Sequence, residues 1–267
     1  MNRRILKKFL ASKLLKAILL FVLTLSLSIY GHPSSADDAD PDWGYGGAAN
    51  PSKWGELTPE FEFCELGRDR SPVDVNVVKE GEPTEIEFNY QPSEVKVTDN
   101  KNSQTIEVGF APGNAIAIDG EEYQLLQFHF HTPSEHSIEG EFSAMELHLV
   151  HQNQAGELAV VGVMINEGDE NPIIAEVWEA IPQGTKAVTG NTITLDVAEL
   201  LPEDTTFVSY QGSLTIPPCS EQVSWNLMLE PIELSAEQIA TFESIYPYNA
   251  RPVQPLNGRQ LELNSGN

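Results

Sequence analysis

The residues of this chain with the clearest chemical potential are histidines, and they are crowded. QFHFH puts His129 and His131 two apart, His136 follows in HTPSEH, and MELHLVH adds His148 and His151, so five of the six histidines fall between residues 129 and 151. Both runs alternate as β-strands do, with residues i and i+2 on one face. Gln127, His129 and His131 then face one way, and Phe128 and Phe130 the other. On the second run Glu146, His148 and Val150 share a face from which His151 is excluded. If the two strands are near neighbours, the imidazoles of His129, His131 and His148 converge. Three neutral nitrogens plus a water make an open, catalytic zinc site.

The plainer reading of an HxH pair is two satisfied histidines on a sheet. Two features favour the metal. Gln127 and Glu146 each stand two residues before a histidine, on its own face, where a hydrogen bond fixes the tautomer and raises ligand basicity. The phenylalanines and leucines of the opposite faces would seat both strands in a core. A structural zinc would need a fourth protein ligand, and no obvious Cys or His remains for it.

What must position these residues is a sheet. From Glu85 onward short alternating runs recur, EIEFNY, EVKVTD, TIEVGF, AIAIDG, YQLLQFHFH, MELHLVHQ and LAVVGVMIN, punctuated by Gly, Pro, Asn and Asp. AVVGVMI is apolar on both faces and is expected deep in the sheet. NPIIAEVWEAI and SAEQIATFESIY read as helices, the second with a capping box from Ser235 to Gln238 and an apolar stripe of Ile239, Phe242 and Ile245. Residues 31–60, rich in Pro, Gly, Ser, Asp and Trp, read as an irregular arm. The expectation is a single mainly β domain, with a few short peripheral helices, built on a large twisted, mostly antiparallel central sheet.

The first residues are of another kind. MNRRILKKFLASKLLK carries six basic and no acidic residues, and Ala17–Tyr30 gives fourteen residues without a charge. A bilayer span takes about 20 apolar residues and a secretory apolar segment about 7–15. With Ser34 and Ala36 as small residues before a cut, residues 1–36 read as a signal peptide, an uncleaved anchor being the alternative, and residues 37–267 as the exported domain, periplasmic or secreted. That domain keeps nine of the 15 Lys and Arg against 40 Asp and Glu, a formal charge of −31. Such a surface repels nucleic acid and anionic lipid, and no later segment is apolar enough to span a membrane. The two cysteines, Cys64 and Cys219, favour one disulfide in an oxidising compartment.

QFHFHTPSEH, ELHLVH, GSLTIPPCSEQVSW and NARPVQPLNGR, with DWGYG at 42–46 and RSPVDV at 70–75, resemble the alpha-class carbonic anhydrases, in the expected order from Trp43 to about Gln260. HTPSEH looks more like the bacterial and plant branches than the animal one. The resemblance implies that His129, His131 and His148 bind Zn2+, and that Gln127 and Glu146 hold the first and last of these. It implies that Thr215 accepts a hydrogen bond from zinc-bound hydroxide while Glu135 accepts one from Thr215, which aims the hydroxide at carbon dioxide. Val150, Val160, Leu214 and Trp225 would line an apolar substrate niche, His136 would brace the loop bearing Glu135, and Cys64 would pair with Cys219. The implied reaction is reversible hydration of carbon dioxide to bicarbonate and a proton.

The departures from the family pattern are as specific. Aligning SQTIEV, residues 103–108, with the segment that often carries a proton-shuttling histidine puts Gln104 at that position. Glutamine cannot titrate, so turnover is expected to be limited by proton transfer to buffer. Glu107 could relay protons only if burial raised its pKa. Ile216 stands where threonine or histidine is common, and Arg70 where glutamine is usual. Two other readings stand beside the enzyme. One is a catalytically silent carbonic-anhydrase-like binding protein, against which the presence of all three histidines, Thr215 and Glu135 argues. The other is a zinc hydrolase of activated esters.

Overall fold

The alternating runs become strands in a computed structural model of the chain, which describes residues 43–81, 84–182 and 190–265. The leader and its cut after Ala36 lie outside the described residues. In chain order the strands are β1 (Asp74–Val75), β2 (Val78–Glu80), β3 (Ile86–Asn89), β4 (Ser93–Asn100), β5 (Thr105–Phe110), β6 (Ala115–Ile118) and β7 (Glu121–His131). There follow β8 (Ser137–Ile138), β9 (Met145–Gln152), β10 (Leu158–Glu167), β11 (Asn191–Leu195), β12 (Phe207–Ser213), β13 (Glu221–Leu234) and β14 (Leu261–Asn264).

Twelve of them make one sheet, in the order β11-β4-β5-β7-β9-β10-β13-β12-β14-β2, with β6 also on β7 and β3 on β6. Most neighbours are antiparallel, as expected, but β10 runs parallel to β13, and β14 to β2. β1 and β8 form a separate parallel pair. β10 lies between β9 and β13, and Ala159 to Ile165 are all buried there, which is where its two apolar faces placed it.

Among the described residues four short α-helices accompany the sheet: α1 (Trp54–Leu57), α2 (Phe63–Leu66), α3 (Pro172–Glu179) and α4 (Ala236–Glu243). The first lies in the arm expected to be irregular. Asn171 caps α3 by accepting from the N–H groups of Ile173 and Ile174, and Pro172 takes the first turn, where no N–H is needed. α4 opens on the expected Ser235–Gln238 capping box.

The sheet separates two apolar clusters. Phe128, Phe130, Leu147, Leu149, Val161 and Val163 belong to the larger one, with Ile174 and Val177 of α3 and Phe242 of α4. Phe128 and Phe130 are fully buried. At about 2 kcal/mol for each such side chain, a one-residue slip of β7 that exposed them would be strongly disfavoured. That penalty fixes which way His129 and His131 point. The smaller cluster, on the histidine face, contains Val160, Met164, Trp225 and Leu227.

Candidate metal centre and active site

Strand register lays the site out in rows. His129 on β7 stands directly opposite His148 on β9, with Glu107 of β5 on one side and Gly162 of β10 on the other. The next row holds Gln127, Val150, Val160 and Trp225, and the row on the other side pairs His131 with Glu146. Residues opposite one another share a face, so all of these side chains rise from one side of the sheet.

One nitrogen of each imidazole is taken. Nδ1 of His129 donates to Oε1 of Gln127 at 2.9 Å, Nδ1 of His131 to the carbonyl of Asn249 at 2.7 Å, and Nε2 of His148 to Oε1 of Glu146 at 2.8 Å. The three nitrogens left over are therefore Nε2, Nε2 and Nδ1. His129, His131 and His148 each offer one ligand atom within 4.8 Å of the others, and Nε2 of His131 is buried without a hydrogen-bond partner. Burial, with the neighbouring imidazoles, holds His129 well below the ordinary histidine pKa; burial likewise lowers His148, and pulls His131 down to about 4. Neutral rings with converging lone pairs are a donor set that fits zinc.

The carboxylates divide their work. Glu146 is fully buried and accepts four hydrogen bonds: the N–H groups of Glu135 and His136 reach Oε2 at 2.8 Å each, and the rings of His136 and His148 reach Oε1 at 2.7 and 2.8 Å. Burial alone would raise this carboxyl, but its electrostatic interactions and hydrogen bonds with the His136 and His148 rings outweigh burial and hold it well below the usual range. His136 in turn accepts from the hydroxyl of Tyr210 at 2.6 Å. Its brace to the Glu135 loop thus runs through Glu146.

Oε1 of Glu135 accepts the main-chain N–H of Arg251 at 2.8 Å, while Oε2 lies 3.5 Å from Nε2 of His131 and 4.0 Å from Nδ1 of His148. Burial pushes the Glu135 carboxyl up to about 7, against the lowering effects of His148, Thr215 and Arg251. Thr215 is close enough to act on that charge but completes no hydrogen bond with Oε2, which stays buried and unpaired.

Thr215 sits in a braced turn. Nε1 of Trp225 donates to the carbonyl of Ser213 at 2.9 Å, and Leu214 N donates to Ser220 O at 2.9 Å. Cys219 N donates to Ile216 O at 2.9 Å, and Cys219 is joined to Cys64 in a disulfide, 155 residues away in sequence. Val160 and Trp225 are buried, whereas Val150 and Leu214 are half-buried beside them. Gln104 stands at φ +53°, and its Nε2 donates to the carbonyl of Trp43 at 3.3 Å. His151 faces away, as parity required: its Nδ1 donates to Ala159 O at 3.3 Å and its Nε2 accepts from the Tyr90 hydroxyl at 2.8 Å.

Sequence reasoning did not single out Asn249, Arg251 or Tyr210. The Asn249 side chain accepts from Thr132 N at 2.7 Å and donates to the carbonyls of Gln104 and Phe130, both at 2.9 Å, while its own carbonyl holds His131. The first two lie in NARPVQPLNGR, whose run of amide and arginine side chains was the available signal.

The pattern of the eukaryotic-type carbonic anhydrases matches residues 49–265. The chain belongs to that family. A Nostoc sp. protein named carbonic anhydrase is 41% identical over 249 residues, covering 88% of this chain and 93% of the relative. Alpha carbonic anhydrase 3 of Arabidopsis thaliana is 34% identical over 263 residues, covering 94% of this chain and 93% of its own. The solved alpha-carbonic anhydrase of Thermovibrio ammonificans, in complex with the inhibitor sulfanilamide, superposes with a TM-score of 0.78 at 36% identity, covering 84% of this chain and 100% of that one. Within this carbonic anhydrase framework Glu107, opposite His129, accepts a hydrogen bond from Nδ2 of Asn100 at 3.0 Å.

Proposed function

We propose that the protein is a zinc-dependent carbonic anhydrase, exported by the signal peptide at 1–36, whose catalytic domain at 37–267 interconverts carbon dioxide and bicarbonate. The observation that carries this reading is the set of three imidazoles whose non-converging nitrogens are each held by a separate hydrogen bond. Membership of the family supports the substrate, and the disulfide supports an oxidising compartment. Among the described residues no helix is long and apolar enough to cross a membrane.

His129, His131 and His148 would hold Zn2+, a Lewis acid that in carbonic anhydrases at large brings bound water to a pKa of about 7. The work of the chain is positioning. Gln127, Glu146 and the Asn249 carbonyl keep one N–H of each ring pointed away from the ligand centre. Once its hydroxyl turns to donate a hydrogen bond to the unpaired Oε2 of Glu135, Thr215 would keep an oxygen that only accepts toward the reacting water, and so would select the orientation in which a lone pair faces the substrate. Arg251 N–H fixes the other Glu135 oxygen. Val150, Val160, Leu214 and Trp225 offer a dry apolar niche for a small apolar substrate. Gln104 cannot take up a proton, so the proton leaves to buffer.

Carbon dioxide hydration by the mature chain, with and without chelation of zinc and across buffer concentrations, tests the reading. Chelator-sensitive hydration that rises with buffer is expected. Absence of hydration by the zinc-loaded protein would replace the enzyme with a silent binding protein.

A further inference from the structure

Among the side chains that rise beside the imidazoles, Glu107 has no part in the reaction as described. β5 gives Ile106 and Val108 to the larger apolar cluster, so Glu107 between them points to the histidine face. It is half-buried and stands directly opposite His129 in the register of β5 and β7. Side chains paired in this way have Cβ atoms about 5 Å apart. The carboxylate is therefore a near neighbour of the metal centre.

Its orientation is held. Nδ2 of Asn100 donates to Oε2 of Glu107 at 3.0 Å, and Oδ1 of the same Asn100 accepts from Ser103 N at 3.2 Å, so one amide ties the carboxylate to the turn that carries Gln104. What Glu107 lacks is a counter-charge. Among the described residues no Lys, Arg or His nitrogen lies within 4.0 Å of its oxygens.

A negative charge at this place acts on the metal centre in two opposite ways: it attracts a dication and repels a small anion. The many carboxylates of the exterior do neither in salt, because exposed charges are screened beyond about 10 Å at 0.1 M ionic strength, whereas a partly buried charge beside the site is screened much less.

We propose that Glu107 is a specificity-determining residue of the metal centre, one that admits neutral carbon dioxide and disfavours small monovalent anions, halides and the bicarbonate product included. The proposal rests on the reading of His129, His131 and His148 as ligands of a divalent metal. Its consequence is tolerance of salt: chloride competes poorly with water for the metal, and bicarbonate is held less tightly.

The test uses the metal-loaded protein with thiocyanate as the anion. In the cobalt(II) form, whose visible spectrum reports what binds the metal, thiocyanate is titrated at about pH 6, where the anion adds its charge to the centre rather than replacing hydroxide. Glu107→Gln keeps an oxygen for Asn100 and removes only the charge. Its thiocyanate affinity should rise about threefold or more, while its zinc affinity in a chelator competition should fall by a similar factor. Glu107→Asp, which keeps the charge, should stay near wild type in both, and Glu107→Asn serves as the neutral variant if the glutamine one is poorly folded. Glu94→Gln is the control. Glu94 is exposed on the same face of β4, about 13 Å along the strand from the Thr98 that stands opposite Glu107, and its loss should move neither affinity. Opposite shifts in the two affinities are the mark of charge. A purely structural role would weaken metal and anion binding together, and that result overturns the proposal. So does an unchanged thiocyanate affinity in Glu107→Gln, or an equal gain in Glu94→Gln. A wild-type protein that takes up no metal would instead refute the metal centre itself, and the proposal with it.

Discussion

Gly162 on β10 stands directly opposite His148 on β9, and its missing side chain leaves the room that the Glu146 carboxylate occupies. A Cβ at this position would lie 2.8 Å from Cδ1 of Leu227 and 3.2 Å from Oε1 of Glu146. Leu227 is fully buried and Glu146 is locked by four hydrogen bonds, so neither gives way freely. Gly162→Ala is expected to lose about 1–3 kcal/mol of stability and, by displacing the carboxylate that orients His148, about tenfold in metal affinity. Urea unfolding and a chelator competition read the two effects separately. An unchanged affinity would show that Glu146 is not clamped as described.

Gln104 occupies a backbone conformation, φ +53°, that histidine tolerates better than most residues. Gln104→His therefore installs a titrating group without forcing the chain. Turnover in dilute buffer should rise about tenfold or more, and the dependence on buffer concentration should flatten. If the variant stays as buffer-dependent as wild type, proton exit is not governed from this position.

His151 makes the fold acid-sensitive by a route separate from the metal. Burial pulls its pKa from 6.5 down to about 3. Between these values the unfolded chain holds a proton that the folded chain does not, so stability is complete above pH 6.5 and is lost as the pH falls toward 3. From about pH 8 to about pH 5 this residue should remove about 2 kcal/mol. His151→Gln should be less stable at neutral pH, through its altered contacts with Tyr90 and Ala159, but should lose less of that stability on acidification. Urea midpoints at the two pH values decide the matter.

The Cys64–Cys219 bond ties α2 to the turn that carries Thr215. Replacing both cysteines with serine should cost about 2–5 kcal/mol, as for other crosslinks closing long loops. Because Cys219 N also bonds to Ile216 O, the turn should loosen, and hydration should slow even well below the melting temperature. Full activity in the double-serine protein would show that Trp225 and the backbone bonds suffice to hold Thr215.

Much of this site was legible in the sequence because the strand period of two is a strict geometric rule. It put His129, His131 and His148 on one face with Gln127 and Glu146, and His151 on the other. What it could not supply was the partner from far along the chain. Asn249 lies 118 residues beyond His131, and nothing in local alternation points to a carbonyl there. β13 was missed for another reason. Val223, Trp225 and Leu227 are buried on one face, but Asn226 and Met228 are buried on the other, so polar and apolar residues do not alternate cleanly, and Pro231 interrupts the run. Its parallel pairing with β10 depends on tertiary assembly alone. The helix caps at Asn171 and Ser235 were local chemistry, and the capping box at Ser235 was read directly.

The contacts of Asn249 and Arg251 also set an order of events during biosynthesis. All three imidazoles leave the ribosome long before the carbonyl that fixes His131 and the amide that fixes Glu135. A nascent chain can thus expose the three rings before the hydrogen bonds with Asn249 and Arg251 that orient His131 and Glu135 are available. The rings are fixed in their final orientation only after the chain as far as Arg251 is free to fold.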